Sequence, residues 1–125
     1  MAKILKLYTL PSKEKILRAP NEQITFPLSK KIKDLIENMK ATVKKAPGIG
    51  LAAPQVGKNY MLAIINLEEF GAPSFGIINP KVISKSIKKT EMEEGCLSMP
   101  GYFTKVTRPA RVEVEFLRED GRRVV

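Results

Sequence analysis

The sequence predicts an α+β fold in which mostly antiparallel strands pack around a core with one N-terminal helix. Two observations support this prediction. One amphipathic helix lies at about residues 28–45, and several short segments rich in Ile and Val follow it. These segments do not alternate regularly with helices, as they would in a parallel sheet.

The helix is predicted by an apolar stripe whose residues recur at intervals of three and four. Ser29 is the expected N-cap, because its hydroxyl can accept a hydrogen bond from an early backbone N–H. Pro47 and Gly48 are expected to end the helix. The stripe comprises Leu28, Ile32, Leu35, Ile36, Met39 and Val43.

The strands are predicted from short apolar runs that are bounded by Gly, Pro or Asn. In the last run Val112, Val114 and Phe116 alternate with glutamates, the pattern of a half-buried strand. Asp120-Gly121 then predicts a hairpin turn. The predicted strands are Tyr60–Leu67, Phe75–Asn79, Lys81–Ile87 and Arg111–Leu117.

Only Arg122 to Val125 follow this predicted turn. Four residues can pair with only part of the preceding strand, which would leave much of that strand's edge exposed to unwanted pairing. We therefore expect the chain to be cut short, so that residues 1–125 form a single but incomplete domain.

Composition limits the class of protein. The 125 residues carry 22 Lys and Arg against 13 Asp and Glu, a formal charge of +9. This charge favours binding to acidic surfaces such as the ribosome. The charges are spread along the chain, however, and no aromatic–basic motif indicates specific nucleic-acid recognition.

The longest apolar run, Met61–Ile65, is too short to cross a membrane. No secretory signal is recognisable, and a single cysteine cannot form an internal disulfide, so a cytoplasmic protein is expected.

The segment "GIGLAAPQVG", Gly48 to Gly57, is the first candidate for a functional role. Its small residues let the backbone approach a ligand closely. Gln55 is the one side chain here with both a donor and an acceptor. It could stabilise an oxyanion in a groove lined by Ile49 and Gly50. Alternatively, the segment is a glycine-rich turn between helix and strand with Gln55 exposed.

The segment "EEGCLSMPG", residues 93 to 101, contains the only cysteine, and the chain contains no histidine. Cys96 could be a small buried apolar residue. A catalytic thiolate would need a base, commonly histidine. A metal-binding thiolate would need further ligands from His, Cys, Asp or Glu. The nearby glutamates are poor candidates because neighbouring side chains of a strand point to opposite faces.

Together, "GIGLAAPQ" and the later "EEGCLS" resemble the first two signature motifs of the peptide deformylase family. This family removes the N-terminal formyl group from nascent polypeptides. The resemblance runs along essentially the whole chain. The early helix, the "INP" at Ile78 to Pro80 and the "DG" turn near the end fall in the expected order.

The resemblance implies roles for several residues of the two motifs. Cys96 would be a ligand of Fe²⁺, or of Zn²⁺, Ni²⁺ or Co²⁺ as substitutes. The Gln55 side chain and the backbone N–H of Leu97 would donate hydrogen bonds to the formyl oxygen. The substrate of this site would be formyl-methionyl nascent peptides. Ile49, Gly50 and Gly95 would line the peptide groove. Phe103 stands where the family commonly has arginine, near the far end of the substrate.

The sequence departs from the family pattern at the third motif, an H-E-x-x-H helix that supplies two metal ligands and a proton-transferring glutamate. With no histidine, this chain supplies at best one of three protein ligands, and we expect that the C-terminal metal-binding helix is missing. A single thiolate cannot hold a tetrahedral metal with an activated water.

These residues alone are therefore expected neither to bind catalytic metal tightly nor to deformylate. A second chain could supply the missing helix. The alternative is a non-catalytic remnant, a peptide-binding or ribosome-binding module that keeps the groove without the metal.

Overall fold

The computed structural model describes residues 2–46 and 48–125. It contains two α-helices, α1 (Glu14–Leu17) and α2 (Lys30–Lys45), and two single-turn 3₁₀ helices, Ala53–Val56 and Glu68–Phe70. The strands are β1 (Gly50–Ala52), β2 (Leu62–Ile65), β3 (Phe75–Lys85), β4 (Lys89–Cys96), β5 (Met99–Pro109), β6 (Val112–Leu117) and β7 (Arg123–Val124).

The strands form two separate sheets. Five strands make an antiparallel sheet in the order β1-β2-β3-β6-β7, and β4 and β5 form a two-stranded antiparallel hairpin. The prediction of an α+β fold with mostly antiparallel strands is confirmed. Within the described residues no helix has the length and apolar character needed to cross a membrane.

Helix α2 confirms the predicted amphipathic helix. The Ser29 hydroxyl accepts a hydrogen bond from the N–H of Ile32 at 3.2 Å, as expected of an N-cap. The predicted stripe is buried from Ile32 to Val43, and it packs against β1 and β2. The helix ends at Lys45 with Ala46 as its C-cap, and the predicted helix breaker Pro47 lies outside the described residues. The core contributed by other elements comprises Ile24, Leu51, Ala53, Val56, Leu62, Ile64 and Ile78.

Strand β3 joins two segments that the sequence analysis separated at Pro80. Proline cannot donate to a strand ladder, which favours a break. The chain instead continues through an irregularity, where pairing with β6 shifts between Ile78 and Lys81. Asn79 there has a positive φ of 51°, which asparagine tolerates better than most residues. Its side chain accepts from the N–H of Ile24 and donates to the C=O of Ile24, both at 2.8 Å, so it fastens the N-terminal region to the sheet.

The β4–β5 hairpin was not predicted. Most of its side chains are exposed on both faces, so its sequence lacks the apolar–polar alternation of a half-buried strand. The four-residue helix α1 was also not predicted, because it buries no side chain and leaves no apolar stripe.

The predicted hairpin turn at Asp120-Gly121 is present between β6 and β7. Gly121 has a φ of 86°, and the Asp120 carboxylate accepts a hydrogen bond from the N–H of Arg122 at 2.9 Å. This bond lowers the pKa of Asp120. As expected from the few residues after the turn, only Arg123 and Val124 pair with β6.

The N-terminal segment connects the helix to both candidate functional segments. The N–H of Leu5 donates to the hydroxyl of Thr42 on α2 at 2.8 Å. Further along, the N–H of Tyr8 donates to the C=O of Gln55 at 2.7 Å, and the N–H of Leu10 donates to the C=O of Ser98 at 2.9 Å. This segment therefore holds the 3₁₀ turn and the β4–β5 hairpin against each other.

Close contact between Tyr8 and Gly57 generates a testable prediction. Gly57 has a φ of 81°, and a Cβ at this position would lie 2.5 Å from Tyr8 Cζ. We expect Gly57→Ala to lower the free energy of unfolding by about 2–4 kcal/mol, because backbone strain and a clash add together. Chemical denaturation measures this loss.

Gly71→Ala is the matched control. Gly71 has a similar φ of 83°, but a Cβ there would meet nothing within 4 Å. The free energy of unfolding of this variant should fall by only about 1 kcal/mol, the cost of the strained backbone. Equal losses in the two variants would contradict the proposed clash with Tyr8.

Candidate functional site

A pocket of about 710 Å³ lies between β1 and the tip of the β4–β5 hairpin. All six residues that the sequence analysis selected line it, namely Ile49, Gly50, Gln55, Gly95, Cys96 and Leu97. The structure thus brings together two segments that are about forty residues apart in the chain. The lining also includes Phe103, which the sequence analysis named near the far end of the substrate. The structure adds Leu7, Gly48, Met99, Pro100, Gly101 and Tyr102.

The carboxamide of Gln55 has a defined orientation. Its Oε1 accepts a hydrogen bond from the N–H of Ala52 at 2.9 Å, and a backbone N–H can only donate. Nε2 therefore points to the hairpin, where it lies 3.2 Å from Ser98 Oγ and 3.5 Å from Cys96 Sγ. Gln55 is half-buried, so it is not the exposed turn residue of the alternative interpretation.

Strand β1 presents the backbone of Gly50 to the pocket. β1 lies at the edge of the five-stranded sheet. The N–H of Asn66 donates to the C=O of Ile49 at 2.6 Å, and Gly50 pairs with Ile65 in the next register position. Because hydrogen-bonded and non-hydrogen-bonded pairs alternate in antiparallel sheets, the N–H and C=O of Gly50 point away from β2. They face the side on which a further strand could add.

The hairpin tip is anchored to the body of the protein by Leu97 and Ser98. Leu97 packs against the main core, and Ser98 is only 4% exposed. Cys96 is exposed, which excludes the interpretation of this cysteine as a buried apolar residue. The tip therefore places the sulfur of Cys96 at the surface of the pocket. Leu97 and Ser98, which follow directly in the chain, hold the tip in position.

Aromatic side chains form the outer wall of the pocket. Tyr102 is 75% exposed and Phe103 is 67% exposed. Phe103 stands opposite Gly95 in the register of β4 and β5, and its ring covers the place where a Gly95 side chain would be. The pocket is consequently an open groove with an apolar rim.

One ion pair bridges the strands of the hairpin near the site. The Arg108 guanidinium donates to both carboxylate oxygens of Glu94 at 2.8 Å each. These charge-assisted hydrogen bonds lower the pKa of Glu94 and raise the pKa of Arg108. Glu94 is thus paired with Arg108 across the hairpin.

The donor set at the pocket does not fit a complete metal site. Fe²⁺ and Zn²⁺ sites in proteins combine several His, Cys, Asp or Glu ligands. Across residues 2–46 and 48–125, no three such side chains come close enough to hold a metal ion. Cys96 offers one suitable donor, and its sulfur lies 3.5 Å from Nε2 of the Gln55 amide.

Sequence reasoning did not select Ser98, Met99 or Tyr102. Their positions just after Cys96 were visible, but their contribution depends on the tight turn at residues 97–98 that folds β5 back on β4. Ser98 could have been found from its position two residues after Cys96, which hints at a shared face. Its contacts with Gln55 and Leu10 could not, because they join segments that are distant in the chain.

The fold and the site define a class of protein, an α+β chain with a groove between an edge strand and a cysteine-bearing hairpin. The polypeptide deformylase family model matches residues 4–125. The chain therefore belongs to the peptide deformylase family, whose members are metalloenzymes.

Known members of this family resemble the chain closely. A peptide deformylase of a Synechococcus species is 40% identical over 119 residues, 94% of this chain and 58% of that protein. The crystal structure of a peptide deformylase from Synechococcus elongatus in complex with actinonin superposes with a TM-score of 0.88. It is 37% identical and covers 98% of this chain and 68% of that chain. The Met-Ala-Ser-bound enzyme from Acinetobacter baumannii gives a TM-score of 0.86 at 28% identity, covering 99% of this chain and 82% of that chain. The chain spans a little under three fifths of the length of its first curated relatives.

The contact between Phe103 and Gly95 can be tested with two alanine variants. A Cβ at Gly95 would lie 2.6 Å from Phe103 Cε1 and 2.9 Å from Cδ1. We expect Gly95→Ala to displace this exposed ring and to shift its proton NMR signals. The free energy of unfolding should change by no more than about 1 kcal/mol. Gly50→Ala is the matched control, because a Cβ there meets nothing closer than 3.7 Å. Unchanged Phe103 signals in Gly95→Ala would show that the ring does not cover this glycine.

Proposed function

We propose that the pocket binds the first residues of formyl-methionyl nascent peptides and forms the substrate-binding part of a deformylation site. The observation that supports this most is the orientation of Gln55. Its N–H groups point to Ser98 and Cys96, at the place where β1 and the hairpin tip meet. In this proposal residues 1–125 act as one domain of the peptide deformylase family.

The groove suits an extended peptide. An extended chain can add to an exposed sheet edge, where main-chain hydrogen bonds supply affinity. The outward-facing N–H and C=O of Gly50 offer such bonds. Gly95 borders the other side of the groove, and Ile49, which is 63% exposed, offers an apolar contact for a substrate side chain.

The formyl oxygen would be held by two donors. Gln55 Nε2 provides the first. The N–H of Ala52 already donates to Oε1, so the carboxamide cannot turn round and bring Oε1 to the formyl oxygen. The backbone N–H of Leu97 is the proposed second donor. Donors fixed before the substrate binds stabilise negative charge that develops on such an oxygen.

Two related structures support peptide binding in this groove. The relative from Synechococcus elongatus binds actinonin, and that from Acinetobacter baumannii binds Met-Ala-Ser. Both superpose on nearly the whole of this chain. The proposed ligands of this chain are accordingly short peptides that begin with formyl-methionine.

We further propose that these 125 residues do not release formate on their own. Hydrolysis by this family requires a metal, and the chain contains a single cysteine and no histidine. Cys96 would contribute one ligand to Fe²⁺, Zn²⁺, Ni²⁺ or Co²⁺, and the remaining ligands would come from an H-E-x-x-H helix supplied by a second chain.

Exposed apolar side chains support such a partner. Met92, Met99, Tyr102 and Phe103 on the hairpin are all more than a third exposed. The second candidate function, a non-catalytic peptide-binding module, would leave this surface uncovered. In either case the charge of +9 would favour attraction to acidic surfaces such as the ribosome.

Peptide binding can be tested with a variant that removes only the donor. Gln55→Glu keeps an acceptor for the N–H of Ala52 but replaces the amide N–H groups by a carboxylate oxygen. We expect it to weaken binding of formyl-Met-Ala-Ser about tenfold in calorimetric titration, because a hydrogen bond is lost and charge is added. Gln23→Glu, an exposed change of the same charge, is the control. Equal affinity of Gln55→Glu and the unmodified chain would refute the role of Gln55.

Catalysis is tested by formate release from the same peptide with added Fe²⁺ or Ni²⁺. The purified chain is expected to show no release above that of the metal in buffer, since one thiolate cannot complete the metal site. Adding a polypeptide that carries H-E-x-x-H should restore turnover if a second chain completes the site. Peptide binding without turnover in that mixture would favour the non-catalytic module, and turnover by the chain alone would refute the proposed inactivity.

A further inference from the structure

Ser98 is a buried polar residue whose side chain has a single partner in the described part of the chain. Its side chain lies within the hairpin tip, and the residue is 4% exposed. A buried hydroxyl costs free energy unless it is hydrogen-bonded. Its Oγ accepts a hydrogen bond from Nε2 of Gln55 at 3.2 Å.

The carboxamide of Gln55 is consequently held at both ends. Ala52 N–H holds Oε1 at 2.9 Å, and Ser98 Oγ holds one N–H of Nε2. A primary amide has two N–H groups. With the first engaged by Ser98, the second is left for the side of Cys96, whose sulfur lies 3.5 Å from Nε2.

The backbone of Ser98 is fixed independently of its side chain. Its C=O accepts from the N–H of Leu10 at 2.9 Å, and the same N-terminal segment donates from Tyr8 to the C=O of Gln55 at 2.7 Å. The preceding residue, Leu97, packs against the core. Loss of the Ser98 hydroxyl would therefore leave the hairpin tip in place and act on the Gln55 side chain.

We propose that Ser98 is a positioning residue for Gln55. By accepting one N–H of the carboxamide, its buried hydroxyl directs the other N–H into the pocket beside Cys96. The inference rests on the proposed function in one respect, namely that this N–H donates a hydrogen bond to the formyl oxygen. The positioning itself is a property of the protein without ligand and can be tested separately.

The test measures the side-chain NH₂ signals of Gln55 by NMR in the free chain. We expect Ser98→Ala to shift these signals and to speed their exchange with solvent about fivefold, the effect of losing one hydrogen bond. Ser98→Thr keeps a hydroxyl and should restore the slow exchange. Gln55→Glu identifies the signals, because it removes them.

Ser86→Ala is the matched control. The Ser86 hydroxyl also makes hydrogen bonds, but just after the end of β3. It donates to the C=O of Lys88 and accepts from the N–H of Arg111. This variant should leave the Gln55 signals unchanged. Gln55 signals that stay unchanged in Ser98→Ala, or that change equally in Ser86→Ala, would overturn the proposal. If Ser98→Thr does not fold, the comparison of Ser98→Ala with Ser86→Ala still shows whether the Ser98 hydroxyl positions Gln55.

A titration with formyl-Met-Ala-Ser separates this inference from the proposed function. If both are correct, Ser98→Ala binds the formylated peptide more weakly than the unmodified chain and binds unformylated Met-Ala-Ser equally well. If the unmodified chain binds neither peptide, the proposed function fails, while the NH₂ measurement still supports or overturns the positioning of Gln55.

Discussion

Burial of one face of α2 determines where the other elements lie. Met39 and Val43 are completely buried, and Ile36 is nearly so. These side chains pack against β1 and β2, the strands that precede and follow the 3₁₀ turn with Gln55. Burying large apolar side chains of this kind contributes about 1.5–3 kcal/mol each. The same packing that stabilises the core therefore positions the first side of the groove.

The second side of the groove depends on polar contacts and on a single apolar anchor. The β4–β5 hairpin is largely exposed, and its tip is held through Leu97 in the core and through hydrogen bonds at Ser98. The N-terminal segment joins both sides, because Tyr8 bonds to Gln55 and Leu10 bonds to Ser98. Residues at the start of the chain thus set the spacing between the two motifs.

The sequence was most informative where the burial of one face makes apolar residues recur at a regular spacing. The stripe of α2 follows from one buried face, and both this stripe and the Ser29 cap are found in the structure. The predicted strand at β6 is also found, but its residues become more buried along the strand and do not alternate between exposed and buried. It was least informative at the β4–β5 hairpin, whose exposed faces impose no pattern. At Pro80 it was misleading, because β3 continues past the proline through an irregularity in its pairing with β6, between Ile78 and Lys81.

The sequence by itself determined the family, the helix and the chemistry available at the site, because these depend on residue types and their local spacing. It established that the chain carries one thiol and no imidazole. Only the tertiary structure decided that Gln55 and Cys96 share a pocket, that Ser98 is buried beside them and that Gly50 faces outward. Each of these results depends on contacts between segments that are distant in the chain, and local patterns of side chains do not encode such contacts.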